Sequence, residues 1–269
     1  MKHVLTAVFC LFIMTNLFSQ STISGVFQSS EAERLYRGPL DWEVFKTKND
    51  SMNRAGYRLT DLETRKEETN RKYWGIWIKS DQKSILEPIY GWGNFIKKKR
   101  QMAADSFLLM EIEAYAVSNE EHYFIGVWTK KDTKHKVWKL DSREGLAKKT
   151  EEMERQDFFV KDVEAFILPN KTVVFLALFH KGKVTTPRNY VYTSNDLKAF
   201  KISLLQRNKS GFRIVDFERF EEKGRPWYLG VFEKGDYKTV LLTRQEADRF
   251  NEKWEIMEKE GLKLMDREF

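Results

Sequence analysis

Cysteine is almost missing from this sequence: one residue, Cys10, in 269. It sits inside an N-terminal apolar stretch, so a chain that sheds that stretch has no thiol. Disulfides, thiolate metal sites and cysteine nucleophiles are then excluded together. Histidine is nearly as scarce, and His122, His135 and His180 show no metal-ligand spacing. The sequence also lacks a glycine-rich phosphate loop and an EF-hand calcium loop. No cofactor and no metal is therefore expected. Long hydrophobic runs are missing too. Val4 to Leu17 is apolar apart from Thr6, Thr15 and Asn16. Its 14 residues fall short of the roughly 20 that cross a bilayer. Behind Lys2 and His3, and ending near Ser19-Gln20, the run reads as a secretory signal over residues 1–20, with an uncleaved anchor as the alternative. Cys10 lacks the small residues that precede a lipidated cysteine. Export to a periplasmic or extracellular site is expected, with no membrane span, and the remaining residues 21–269 form one repeat domain large enough to be held by its core alone.

Charge is abundant rather than lacking, at 32% of residues with a formal net charge of +7. Basic runs such as Lys97-Lys-Lys-Arg100 fall on expected helix faces, where a solvated surface accounts for them. Nucleic acid is not expected as a partner; an anionic surface or polymer fits the balance better.

An acidic phrase recurs along the chain. It reads Asp61-Leu-Glu63, Glu111-Ile-Glu113, Asp162-Val-Glu164, Asp216-Phe-Glu218 and Asp266-Arg-Glu268, with first acids 50, 51, 54 and 50 residues apart. A fixed period of this size marks a repeat architecture. Each phrase lies on an expected strand A. An aromatic and β-branched strand B follows, as in Tyr73-Trp-Gly-Ile-Trp77, Tyr123-Phe-Ile-Gly-Val-Trp128 and Trp227-Tyr-Leu-Gly-Val-Phe232. A short strand C comes next in several units, at 136–140, 189–192 and 238–242, and then a helix. Asp141-x-x-Glu144 and Thr243-x-x-Glu246 read as capping boxes, Thr193-Ser-Asn-Asp196 opens another helix, and Gly56, Gly211 and Gly261 close three. The expected unit is a β-meander plus one helix. Boundaries fall near 21–64, 65–115, 116–166, 167–220 and 221–269.

The ends carry half-units. Thr22-Ile-Ser-Gly-Val-Phe27 is a strand B without its strand A, and the last residues are a strand A without its strand B. A fifth unit split between the termini is expected, closing the array and removing two sheet edges. The fold class is α/β (α+β repeats): a closed five-fold ring or propeller-like array of ~50-residue units. In period and unit content this resembles the pentein architecture, in shape only, since pentein guanidine-modifying enzymes use a cysteine nucleophile. The wording of Gly56-Tyr-Arg-Leu-Thr-Asp-Leu-Glu63 and Gly211-Phe-Arg-Ile-Val-Asp-Phe-Glu218 resembles the bacterial tandem repeats in the N-terminal region of polyglycine hydrolases. In those proteins the chemistry belongs to a separate serine β-lactamase-like domain. The resemblance implies a repeat module with that catalytic domain absent.

Strand residues i and i+2 share a face, so each acid pair points one way. The candidate ligand-binding residues are Asp61, Glu63, Glu111, Glu113, Asp162, Glu164, Asp216, Glu218, Asp266 and Glu268. Three roles are open for this circle. Lys79, Lys130, Lys181 and Lys234, each four residues after the strand B Gly or Ala, could pair with the acids and make it architectural. Left unpaired, it could bind a cation, a cationic ligand or a sugar. One pair could act as acid and base, its pKa raised by its neighbours. Ser80-Asp-Gln-Lys83 and His180-Lys-Gly182 match serine β-lactamase-like elements, as chance allows in a lysine-rich chain. The strand B aromatics Phe27, Trp77, Trp128, Phe179 and Phe232 read as core, with a sugar-stacking platform as the alternative; Trp42, Trp92, Trp138 and Trp254 lie outside that register. The leading expectation is an exported, non-catalytic module that binds a polymer (glycan or peptide) or a protein partner. A glycan or peptide hydrolase and a structural envelope protein are the alternatives.

Overall fold

A computed structural model describes residues 22–67, 69–182 and 189–269. The expected signal and Cys10 lie outside the described residues. Five helices and fifteen strands alternate in a fixed order. β1 spans Ile23–Ser29, β2 Arg34–Leu40, α1 Trp42–Arg54, β3 Tyr57–Glu67 and β4 Asn70–Lys79. β5 spans Ser84–Tyr90, α2 Trp92–Ala104, β6 Phe107–Ala116 and β7 His122–Lys130. β8 spans His135–Leu140, α3 Arg143–Glu154, β9 Phe158–Ile167 and β10 Val173–Lys181. β11 spans Tyr190–Ser194, α4 Leu197–Lys209, β12 Phe212–Glu222 and β13 Arg225–Lys234. β14 spans Thr239–Gln245, α5 Ala247–Lys259 and β15 Leu262–Glu268.

The strands form five three-stranded antiparallel sheets, each carrying one helix, so the repeat is real. The expected meander is not. β5 follows β4 in the chain but pairs with β7 of the next sheet. The order in each sheet is C-B-A, as in β2-β4-β3, with the helix joining the two edge strands. A helix cannot be spanned by a tight turn, so strand C and strand A end on opposite edges while the A–B hairpin fills the centre. The N-terminal strand β1 lies between β14 and β15, pairing with both, as the split fifth unit requires.

Each helix packs its fourth residue onto its sheet: Phe45, Phe95, Leu146, Phe200 and Phe250 are all buried. At Gly25, Gly75 and Gly230 the helix rings Phe250, Phe45 and Phe200 leave no room for a side chain. A Cβ on Gly75 would lie 2.7 Å from both Leu59 and Trp77 and 2.9 Å from Phe45. The aromatics two residues on, Trp77, Trp128, Phe179, Phe232 and Phe27, are fully buried, so they are core rather than a stacking platform. Outside that register, Trp138 is 37% exposed.

The helix ends partly follow the sequence. Gly56, Gly211 and Gly261 take φ near +78°, +79° and +76°, while Ser106 and Asp157 do the same work after α2 and α3. Asp196 caps α4, accepting from the Lys198 and Ala199 N–H groups. The other boxes are displaced. Ser142, not Asp141, caps α3 by accepting from the Gly145 N–H, and Thr243 lies inside β14 with Glu246 at the N-cap of α5.

Candidate functional site

The acid strands, each at one edge of its sheet, contact the acid strands of neighbouring units. β3 contacts β6, β6 contacts β9, β9 contacts β12, β12 contacts β15, and β15 contacts β3. All five carry the same irregularity. The register slips at the residue just before the first acid: Thr60, Met110, Lys161, Val215 and Met265 are each skipped in pairing with strand B. The bulge resets alternation. The residue before it, such as Leu59, and the residue between the acids, such as Leu62, both face the helix, while both acids face away. Without the bulge, Leu59 and Asp61 would share a face.

The ten carboxylates form two tiers. Asp61, Glu111, Asp162, Asp216 and Asp266 line a cavity of about 240 Å³ together with Glu63, Glu113, Glu164 and Glu218. Glu63, Glu113, Glu164, Glu218 and Glu268 also line a second cavity of about 360 Å³. The glutamate tier thus separates the two. Asp61, Glu63, Glu113, Asp216, Glu218 and Asp266 are buried, and the other four are half-buried.

The expected lysine partners are elsewhere. Lys79, Lys130, Lys181 and Lys234 donate to the backbone carbonyls of Ala55, Asp105, Gln156 and Ser210 at helix C-termini. Each also lies over the ring that opens strand A: Tyr57, Phe107, Phe158 or Phe212. A cation at the negative end of a helix dipole is well placed there. Among the described residues no ion pair joins any of the ten acids to Lys or Arg.

The acids instead reach across to the preceding unit. Glu111 accepts from the Leu62 N–H, Asp162 from Ile112 at 3.1 Å, Asp216 from Val163 at 2.9 Å, and Asp266 from Phe217 at 3.0 Å. In the lower tier Glu113 accepts from Thr64 Oγ1 at 2.8 Å, and Glu218 accepts from the Ala165 N–H at 3.2 Å. The seam between β15 and β3 breaks the pattern. Among the described residues, Asp61 receives no bond from the Arg267 N–H. Its carboxyl lies beside that of Asp266 instead, with one oxygen of each within 4.8 Å of the other, and burial together with the neighbouring acids raises both pKa values. One oxygen each from Asp61, Glu63 and Asp266 lies within 4.8 Å of the others.

Burial holds all ten above the usual carboxylate range, and neighbouring acids push nine of them further. Burial takes Glu113 to about 8 even though Thr64 and Arg71 oppose it. Burial takes Asp162 to about 7 against the opposing Ile112 N–H and Lys161. Such groups can give or take protons near neutrality and attract any cation that reaches them.

Sequence reasoning missed Arg34, Arg58 and Lys161, which open into the first cavity. It also missed the bulge, although a signal existed. Core-facing residues three apart on one strand, as in Leu59 and Leu62, cannot occur with strict alternation. The β-lactamase-like elements do not assemble. Ser80 Oγ accepts from the Gln82 N–H in a turn, while His180 is buried in another sheet with Nε2 at 2.7 Å from the Leu109 carbonyl. His135 pairs with His180 across β8 and β10, and burial lowers the two to about 4 and about 3. Among the described residues no helix is long and apolar enough to cross a membrane.

No curated protein matches the chain. A family model does: that of the polyglycine hydrolase-like structural repeat matches two regions, residues 37–80, from within β2 through α1 to β4, and residues 204–235, from within α4 through β13.

Proposed function

We propose that this chain is a non-catalytic repeat module whose five units close into a ring, with the two acid-lined cavities on its axis. Exported from the cytoplasm, the module grips a cationic group of a polymer or protein partner there. Closure is supported by β1 lying between β14 and β15 and by the contact between β15 and β3. Binding rests on one observation: nine of the ten repeat acids line a single cavity and have no ion-pair partner among the described residues. The backbone N–H groups that the acids accept carry no full charge to neutralise them, and the lysines nearby cap helices instead.

Cadaverine, a diamine with no anionic group, tests the reading. It should raise the melting temperature at pH 7.5, and the Asp61→Asn/Asp266→Asn variant should lose that response. A wild-type protein whose melting temperature ignores cadaverine would sink the reading. Calcium chloride in a parallel arm separates a metal site from an ammonium site.

The Asp61–Asp266 pair favours a second reading. Two neighbouring carboxyls that line a cavity, both with raised pKa values, suit general acid–base hydrolysis. Turnover of a peptide or glycan that disappears in Asp61→Asn with stability unchanged would establish it.

A further inference from the structure

The acids repeat, but the row of side chains above them does not. In the first unit Arg34 on β2 and Arg58 on β3 both pair with Ile78 of β4, so the three residues form one row on one face. All three line the same cavity as the upper acid tier. The corresponding row is Ser84, Thr129 and Leu108 in the second unit, and His135, His180 and Phe159 in the third. It is Thr239, Gln28 and Lys263 in the fifth. The paired guanidinium groups belong to the first unit alone among these.

Several donors in the other rows are already used, although His135 Nε2 and Thr239 Oγ1 are also buried without a partner. Ser84 Oγ donates to Asn49 Oδ1 at 2.9 Å. His180 holds the Leu109 carbonyl. Arg213, next to Glu233 in the fourth unit, donates to the Asn208 carbonyl at 2.8 Å. Arg34 and Arg58 differ in placing two guanidinium groups side by side in one row. The Nε atom of each is buried without a hydrogen-bond partner, and among the described residues neither side chain makes an ion pair. Burial lowers Arg34 to about 10 and lowers Arg58 as well, with Asp61 and Asp81 opposing from a distance. Lys161 opens into the cavity from β9. A half-buried guanidinium whose Nε–H is shut off from water without an acceptor is costly unless something completes it, and its planar fork suits a carboxylate.

We infer that the first cavity takes a small zwitterion, with a carboxylate on Arg34 and Arg58 and an ammonium group among the acids around Asp61 and Asp266. The inference rests on the proposed axial cation site and adds the anionic half of the ligand. It also gives the cavity a direction: a carboxylate held by the arginine row presents the positive end to the acids. The contrast between units adds a second asymmetry to that of the acids at the β15–β3 seam.

Lysine and cadaverine differ only in the α-carboxylate, so the pair isolates the arginine row. Binding of each to the wild-type chain would be measured by isothermal titration calorimetry at pH 7.5. Lysine is expected to bind at least ~10-fold tighter, the gain of one well-made charged contact. In Arg34→Gln/Arg58→Gln that ratio should fall to about one, with cadaverine affinity unchanged. Should the double variant fail to fold, the single variants Arg34→Gln and Arg58→Gln are read the same way. Equal affinities in the wild type, or a ratio that survives the substitutions, would overturn the zwitterion and leave the cation site standing. Absence of binding by either compound overturns both.

Discussion

Four seams between units are alike and the fifth is not. At the alike seams a carboxylate from one strand A accepts a backbone N–H from the strand A before it. At the β15–β3 seam two carboxyls meet each other. The difference extends behind the acids. The residue between the acids is Leu62, Ile112, Val163 or Phe217 in four units, and Arg267 in the last. Arg267 is 7% exposed, its guanidinium lies 4.6 Å from the Tyr36 ring and 4.8 Å from Phe269, and burial lowers it to about 9. Where the chain runs continuously from one unit to the next, neutral packing and backbone acceptance suffice. The seam that joins the two ends is built from ionisable groups. Stability and ligand response should therefore both depend most on this seam.

Removing the seam should have the largest effect. Deletion of residues 261–269 strips β15 from β1 and leaves Asp61 without Asp266. The chain should lose cooperative unfolding altogether, as followed by calorimetry. A melting curve close to that of the full chain would show that the ends do not close the molecule.

A smaller effect comes from deleting one acid at each kind of seam. Asp216→Ala leaves the buried Val163 N–H unsatisfied and should cost about 1–3 kcal/mol in urea unfolding. Asp61→Ala removes no backbone acceptor and frees Asp266 from a neighbouring charge, so its cost should be under ~1 kcal/mol. Equal costs would erase the distinction between the seams.

The pH dependence follows from the raised carboxyls. A folded state with higher acid pKa values binds more protons than the unfolded chain between pH about 4 and about 8, so stability falls as pH rises through that window. His135 and His180, lowered in the fold, act oppositely below their ordinary value of 6.5. The two histidines offset part of the slope there, and the acids act alone above it. The melting temperature should drop by ~5 °C or more from pH 6.5 to pH 8.5, given about 2–4 °C per kcal/mol for a chain of this size. Asp61→Asn should flatten that slope, because its amide donates to Asp266 at every pH. A melting temperature that rises over the same interval would contradict the burial of the acids.

The helix caps lie far from the seam and should matter least. Lys130→Met removes the cation from the Asp105 carbonyl and should cost about 0.3–1 kcal/mol with no change in cadaverine binding. A change in binding would return the lysines to the acid site.

Much of this architecture was legible along the chain. The period, the acid strand followed by a glycine-bearing aromatic strand, the helix-closing glycines and the split fifth unit all come from local patterns. Alternation placed both acids of a phrase on one face because side-chain direction in a strand is set by the backbone. Pairing was not legible. Strand C looked like the third strand of a meander, yet β5 joins β7, because nothing local distinguishes the sheet behind from the sheet ahead. The lysines after strand B looked like partners for the acids, yet their reach ends at helix carbonyls such as Ala55. Charge alone does not say which oppositely polarised group lies nearest.

The sequence by itself determined the repeat unit, its count and the identity of the ten acids, since these depend on periodicity and on residue type. Only the tertiary structure decided that the acids share two cavities without cationic partners, that Asp61 and Asp266 meet, and that Arg34 and Arg58 stand open above them. The reason is range: side-chain alternation is fixed within a few residues, whereas desolvation and charge pairing depend on groups some fifty residues or more apart along the chain, as with Glu111 and Leu62 or Asp266 and Asp61.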